Sequence, residues 1–219
     1  MRLLAGKSAL FGGLGILLGL FISTADSAGE TREQTALSYI DLGDKFAHQG
    51  DFKRAIGAYN LAIQFAPDFV PAFFRRALAF EARGETSKAI SDYTSALEIV
   101  PGLTTALYNR GNLRLSGGDL DAALSDFDDA LKSDPRYVMA YNNRGIARLG
   151  KRDVEGAMAD FNEAIKIDPH HPEAYVNRGL LLLQQGQRAE AERDFAQSIA
   201  VKPSLKSFIQ SRVRRISQN

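Results

Sequence analysis

Three histidines, His48, His170 and His171, are the chain's only imidazoles, and cysteine is absent. Adjacent histidines rarely chelate one metal without further ligands, and His170-His171 stand just before Pro172, so they read as a turn rather than a zinc site. Without cysteine there is no thiolate ligand, thiol nucleophile or disulfide. No glycine-rich phosphate loop, HExxH or GxSxG stretch occurs. Carboxylates are plentiful, yet Asp126, Asp128 and Asp129 fall on helical faces, as solvated charge rather than a paired acid and base. The expectation is therefore no catalytic residue, no metal and no cofactor.

Two other residue types recur at a fixed spacing. Arg76, Arg110, Arg144 and Arg178 repeat every 34 residues, and Asp92, Asp126, Asp160 and Asp194 repeat in step with them. One period earlier stand Leu42 and Ala58, so the two positions change together within a single chain. This predicts ion pairs Arg76 with Asp92, Arg110 with Asp126, Arg144 with Asp160 and Arg178 with Asp194, within one hairpin or to its neighbour. Asn109, Asn143 and Asn177 share the same period. A side-chain amide both donates and accepts, so a row of amides can hold the backbone of an extended peptide without reading its side chains.

The elements that position these residues follow from the period. Five of the seven prolines, Pro67, Pro101, Pro135, Pro169 and Pro203, are 34 apart. Numbering each repeat so that this proline is position 32 puts repeats at 36–69, 70–103, 104–137, 138–171 and 172–205. Alanine then fills position 20 throughout, an aromatic fills position 24 (Tyr59, Tyr93, Phe127, Phe161, Phe195), and position 8 is Gly or Ala. Small residues let two helices approach to about 8–10 Å, and the aromatic fills the space beside them. Glycine and aspartate near positions 15 and 16 suit a helix stop and a new N-cap. The proline ends the second helix.

Repeat 1 reads Tyr39, Leu42, Gly43, Phe46, Ala55, Tyr59, Ala62 and Pro67. This series resembles the tetratricopeptide repeat, and the resemblance covers residues 36–205. It implies an all-α fold, an α-solenoid of helix-turn-helix hairpins wound as a right-handed superhelix. It also implies a concave groove lined by the first helices, which would place Phe74, Leu78, Tyr108, Asn109, Asn112, Met139, Asn143, Ile146, Val176, Asn177 and Leu180 against a peptide ligand. The asparagine row resembles the ladder in the repeat domain of O-linked N-acetylglucosamine transferase. The clamp that chaperone-binding members use for acidic C-termini is matched at only one of five places, Asn109, so chaperone-tail binding is not expected. Protein interaction is the function implied; the alternative is an assembly subunit whose groove is filled by self-association or by its own C-terminal helix.

The ends carry separate signals. Arg2 and Lys7 precede an uncharged run over residues 8–25, followed by small residues through Ala28. That is a secretory signal over 1–28, with cleavage after Ala25 or Ser27, and an uncleaved single-span anchor is the other reading. Both place the repeats outside the cytoplasm, in a bacterial periplasm or secreted, and limit membrane attachment to that segment. Residues 29–35 form a short linker. Residues 206–219 form a capping helix, with Phe208, Ile209, Val213 and Ile216 along one side and Lys206, Arg212, Arg214 and Arg215 along the other. A net charge of +1 offers no field for nucleic acid.

Overall fold

The computed structural model describes residues 31–218, so the expected export signal lies outside the described residues. Within that span eleven helices follow one another and no strand occurs: α1 (Arg32–His48), α2 (Phe52–Phe65), α3 (Val70–Ala82), α4 (Thr86–Ile99), α5 (Thr104–Gly117), α6 (Leu120–Ser133), α7 (Val138–Gly150), α8 (Val154–Ile167), α9 (Pro172–Gln184), α10 (Arg188–Val201) and α11 (Lys206–Ser217). Helices pair as hairpins, α1 with α2, α3 with α4, α7 with α8 and α9 with α10, and each second helix packs on the next first helix at α2–α3, α6–α7 and α8–α9. The architecture is an all-α solenoid of hairpins. It divides into two compact units, an N-terminal one over 31–113 and a C-terminal one over 114–218, with the boundary inside α5.

Each helix ends where its chemistry stops it. The second helices end at Phe65, Ile99, Ser133, Ile167 and Val201, two residues before the periodic proline. The intervening residue is forced out of the helical region, as at Ala66 (φ −133°, ψ 89°) and Asp168 (φ −131°, ψ 96°). First helices stop at a left-handed residue, which is glycine at 50, 84, 118 and 186 and Arg152 in the fourth hairpin (φ 66°). Asp51, Asp119 and Asp153 then cap the next helix, their carboxylates accepting from the amides of Arg54, Ala122 and Gly156 at 3.0, 3.2 and 2.9 Å; such a cap contributes about 1 kcal/mol. At the start of α1, Thr31 and Gln34 form a reciprocal capping box, which draws residues 32–35 into the helix where the repeat phase leaves a linker.

The small-residue and aromatic positions meet inside each hairpin. Ala55, Ala89, Ala123, Ala157 and Ala191 are fully buried, as are Tyr59, Tyr93, Phe127 and Phe161. A Cβ on Gly145 would come within 2.6 Å of the Phe161 ring, so glycine there sets how closely α7 and α8 approach. After a 3-10 turn at Pro203–Leu205, α11 packs on α9. Its Phe208, Ile209, Val213 and Ile216 join Leu205, Phe195, Leu180 and Val176 in one apolar cluster. This helix covers the face of the fifth hairpin that a further hairpin would otherwise bury.

Candidate functional site

Three of the periodic arginines, Arg76, Arg144 and Arg178, serve two hairpins at once. Arg76 donates Nε and Nη2 to Asp92 at 2.7 Å, and Arg178 donates the same two groups to Asp194 at 2.8 and 2.7 Å. Arg144 donates Nη2 to Asp160 at 2.6 Å. The third nitrogen reaches back to the preceding hairpin, Arg76 to Asn60 (2.6 Å), Arg110 to Thr94 (2.9 Å), Arg144 to Asp128 (2.6 Å) and Arg178 to Asn162 (2.8 Å). The sequence posed these as alternatives, and at Arg76, Arg144 and Arg178 the guanidinium fork satisfies both.

Asp126 accepts from Arg114 Nη1 at 2.8 Å and is buried, so it is not the solvated charge expected of it. Its carboxylate turns inward because Arg114, four residues after Arg110, offers a cation there. Arg148 repeats that role one period later, 2.8 Å from Asp160. Burial is the largest influence on Asp160 and pushes its carboxyl above the ordinary range, against the opposing charges of Arg144 and Arg148. At Arg144 burial acts to lower the pKa, but the hydrogen bonds and charges of Asp160 and Asp128 outweigh it and hold the guanidinium's pKa up. The charged form is thus favoured at Arg144 and disfavoured at Asp160, and what such pairs supply is the register of one hairpin on the next.

On the first helices of the N-terminal unit, Phe74 lies edge-on to Tyr93, with ring centroids 5.5 Å apart, and Phe74, Leu78, Tyr108, Asn109 and Asn112 are all buried. Asn109 donates Nδ2 to Tyr93 Oη at 3.2 Å, and Tyr93 donates its hydroxyl to Glu81. In the first hairpin Tyr59 Oη donates to Asp44 at 2.6 Å, and Arg75 Nε stands 3.4 Å from the same carboxylate. Burial, together with the neighbouring carboxylates, pushes both phenols far above their ordinary range, so they remain donors.

In the C-terminal unit the predicted asparagines are joined by one that was not predicted. Asn177 donates Nδ2 to Asn142 Oδ1 at 2.8 Å, and Asn142 donates Nδ2 to Asn143 Oδ1 at 2.9 Å. All three are buried, and Met139 is half-buried; Ile146, also half-buried, packs against Ala157, Phe161 and Leu181 rather than lining a groove. Val176 and Leu180 are not available as groove lining: they lie in the cluster closed by α11. The physical reason is their place in the last hairpin, where apolar side chains need the cap.

The histidines take structural places. His171 is the N-cap residue of α9, and the backbone amide of His170 donates to Asp168 at 2.9 Å. Among the described residues no group of three potential ligands could hold a metal ion. A cleft of about 730 Å³ opens between α8 and α10, over Val154, Met158 and Leu182. Hairpins 3 and 4 carry Arg114 and Arg148 at the phase of Leu182, where each reaches across to its second helix; leucine is too short to do so.

Family profiles described as tetratricopeptide repeat match residues 40–103 and 108–172, and a second of that description matches 148–203. The chain belongs to the tetratricopeptide-repeat family. Repeats of this family are typically protein-interaction modules without catalytic activity. No curated protein sequence matches. Among solved structures, a repeat protein from Parabacteroides merdae is 22% identical at a TM-score of 0.74, covering 84% of this chain and 72% of its own. A MamA structure is 23% identical at 0.70, covering 80% and 96%. YrrB, described as having an unusual peptide-binding site, is 17% identical at 0.68, covering 82% and 92%.

The sequence reading missed Asn142, Asp44, Glu81 and the acceptors at 60, 94, 128 and 162. A signal existed for two of them. Position 24 is tyrosine rather than phenylalanine in repeats 1 and 2 only, and a buried hydroxyl demands a partner.

Proposed function

We propose that this chain is a non-catalytic scaffold, working outside the cytoplasm, that holds an extended segment of a protein partner along the first helices of its hairpins. One observation carries the reading: amides recurring every 34 residues are each held in a fixed orientation by a neighbour, Asn109 by Tyr93 and Asn177 and Asn143 through Asn142. Oriented donors and acceptors at a regular interval suit a peptide backbone, which presents both at regular intervals itself. YrrB offers a parallel among structures of the same fold, since its described property is peptide binding. The leader, with Arg2 and Lys7 before an uncharged run, supports the location.

Because the three amides are buried, engagement requires half-buried neighbours such as Met139 to move aside. Methionine does this readily, and a step of that kind slows association below the usual 10⁵–10⁷ M⁻¹s⁻¹. The test is to select 12-residue peptides by display against the full chain and measure their affinity by fluorescence anisotropy. A neutral hydrogen bond contributes about 0.5–1.5 kcal/mol, so Asn109→Ala, Asn143→Ala and Asn177→Ala together should weaken binding by roughly ten- to a thousandfold, with helical circular dichroism retained. Unchanged affinity in the folded triple variant would remove the basis of the proposal.

A further inference from the structure

The first-helix face of the N-terminal unit differs from that of the C-terminal unit in the groups it fixes. Where the C-terminal unit links amide to amide, the N-terminal unit links carboxylates to phenols and then to an amide. Asp44 on α1 and Glu81 on α3 each accept from a buried tyrosine that burial keeps protonated. Asp44 is also met by Arg75.

Asn109, on α5, spends its donor on Tyr93. Its carbonyl oxygen Oδ1 is buried and has no hydrogen-bond partner. A buried polar atom left unmade costs about 1–3 kcal/mol, and a ligand supplying the missing group recovers it. What Oδ1 needs is a donor. One phenol away stands Glu81, half-buried and thus within reach of a long side chain. Asn109 Oδ1, Tyr93 Oη and the Glu81 carboxylate together form a chain of oxygen acceptors ending in a negative charge. A lysine ammonium has three donors and no acceptor, and a guanidinium has five donors and none; both fit such a set. A carboxylate or a backbone carbonyl does not.

Resting on the peptide-holding reading, we propose that this unit selects a basic side chain of the bound segment, taken at Glu81 and Asn109. Helices α3, α4 and α5 thereby set which residue of the partner is read.

The probes are four mixtures of fluorescein-labelled 12-residue peptides, randomised except for a central lysine, arginine, glutamine or glutamate, titrated against the full chain. Lysine and arginine mixtures should bind at least tenfold tighter than glutamine, and glutamate weakest. In Glu81→Gln, which keeps an acceptor for Tyr93 and so preserves the fold, the lysine advantage should vanish while the glutamine mixture binds as before. Asn109→Asp should enlarge the advantage. Equal binding of lysine and glutamine mixtures, or an advantage that survives Glu81→Gln, would overturn this inference and leave peptide holding intact. Failure of all four mixtures to bind would overturn both.

Discussion

Replacing Arg178 and Arg144 separately by methionine tests the reading of the ion pairs, because the two sites differ in what is left behind. Among the described residues Asp194 has Arg178 as its only cationic partner, and its side chain is 7% exposed. Arg178→Met keeps an unbranched side chain of similar length, loses the guanidinium that lies over Tyr175, and strands a buried carboxylate. Stranding a charge of this kind costs about 3–5 kcal/mol. Asp160 is at least as buried, at 3%, yet Arg148 remains 2.8 Å from it after Arg144 is removed. The loss there is nearer that of one charged hydrogen bond, about 1.5–3 kcal/mol. Urea unfolding followed by circular dichroism at pH 7 should therefore rank Arg178→Met below Arg144→Met. In melting temperature the former should fall by roughly 6–20 °C for a chain of this size. Adding Asp194→Leu to Arg178→Met should recover most of the loss, since an apolar pair of similar volume needs no desolvation. Equal losses at the two arginines, or a double variant no better than Arg178→Met, would refute the argument.

Two further outcomes follow from local geometry. Arg152 occupies the left-handed position that glycine fills in the other four hairpins, so Arg152→Gly should relieve strain of about 1–2 kcal/mol and gain roughly 0.5–1 kcal/mol net of glycine's entropy, read as a higher urea midpoint with unchanged slope. Burial of His171, near Glu173, Asp168 and Lys202, holds its pKa below the ordinary imidazole value. The unfolded chain then takes this proton first, so stability is complete above about pH 6.5 and declines below it; His171→Gln should flatten that decline between pH 7 and 5. At Glu173 burial acts to raise the pKa, but the Lys202 hydrogen bond and charge outweigh it and leave the carboxyl lowered. Its contribution is lost only below about pH 4.3, outside that window.

Much of the hairpin architecture was legible because each periodic residue does one job in every copy. Pro67 and its successors end a helix, Ala55 and its successors allow close packing, and the aromatic at position 24 fills the gap. The backward contacts of the arginines were not legible, because Asn60, Thr94, Asp128 and Asn162 share a role as acceptors but not a residue type. Asn142 lies one residue off the asparagine phase and joins the row only through side-chain geometry. Val176 and Leu180 carry the right residue types for a groove, and only their position in the last hairpin, under α11, assigns them to the core.

The most direct test of the account is photo-cross-linking. A peptide selected against the full chain would carry one benzoylphenylalanine at successive positions, with the adducts located by mass spectrometry. Adducts are expected on α3, α5 and α7, next to Asn109 and Asn143. Adducts confined to the α8–α10 cleft over Met158 and Leu182, or to the second helices, would contradict that expectation.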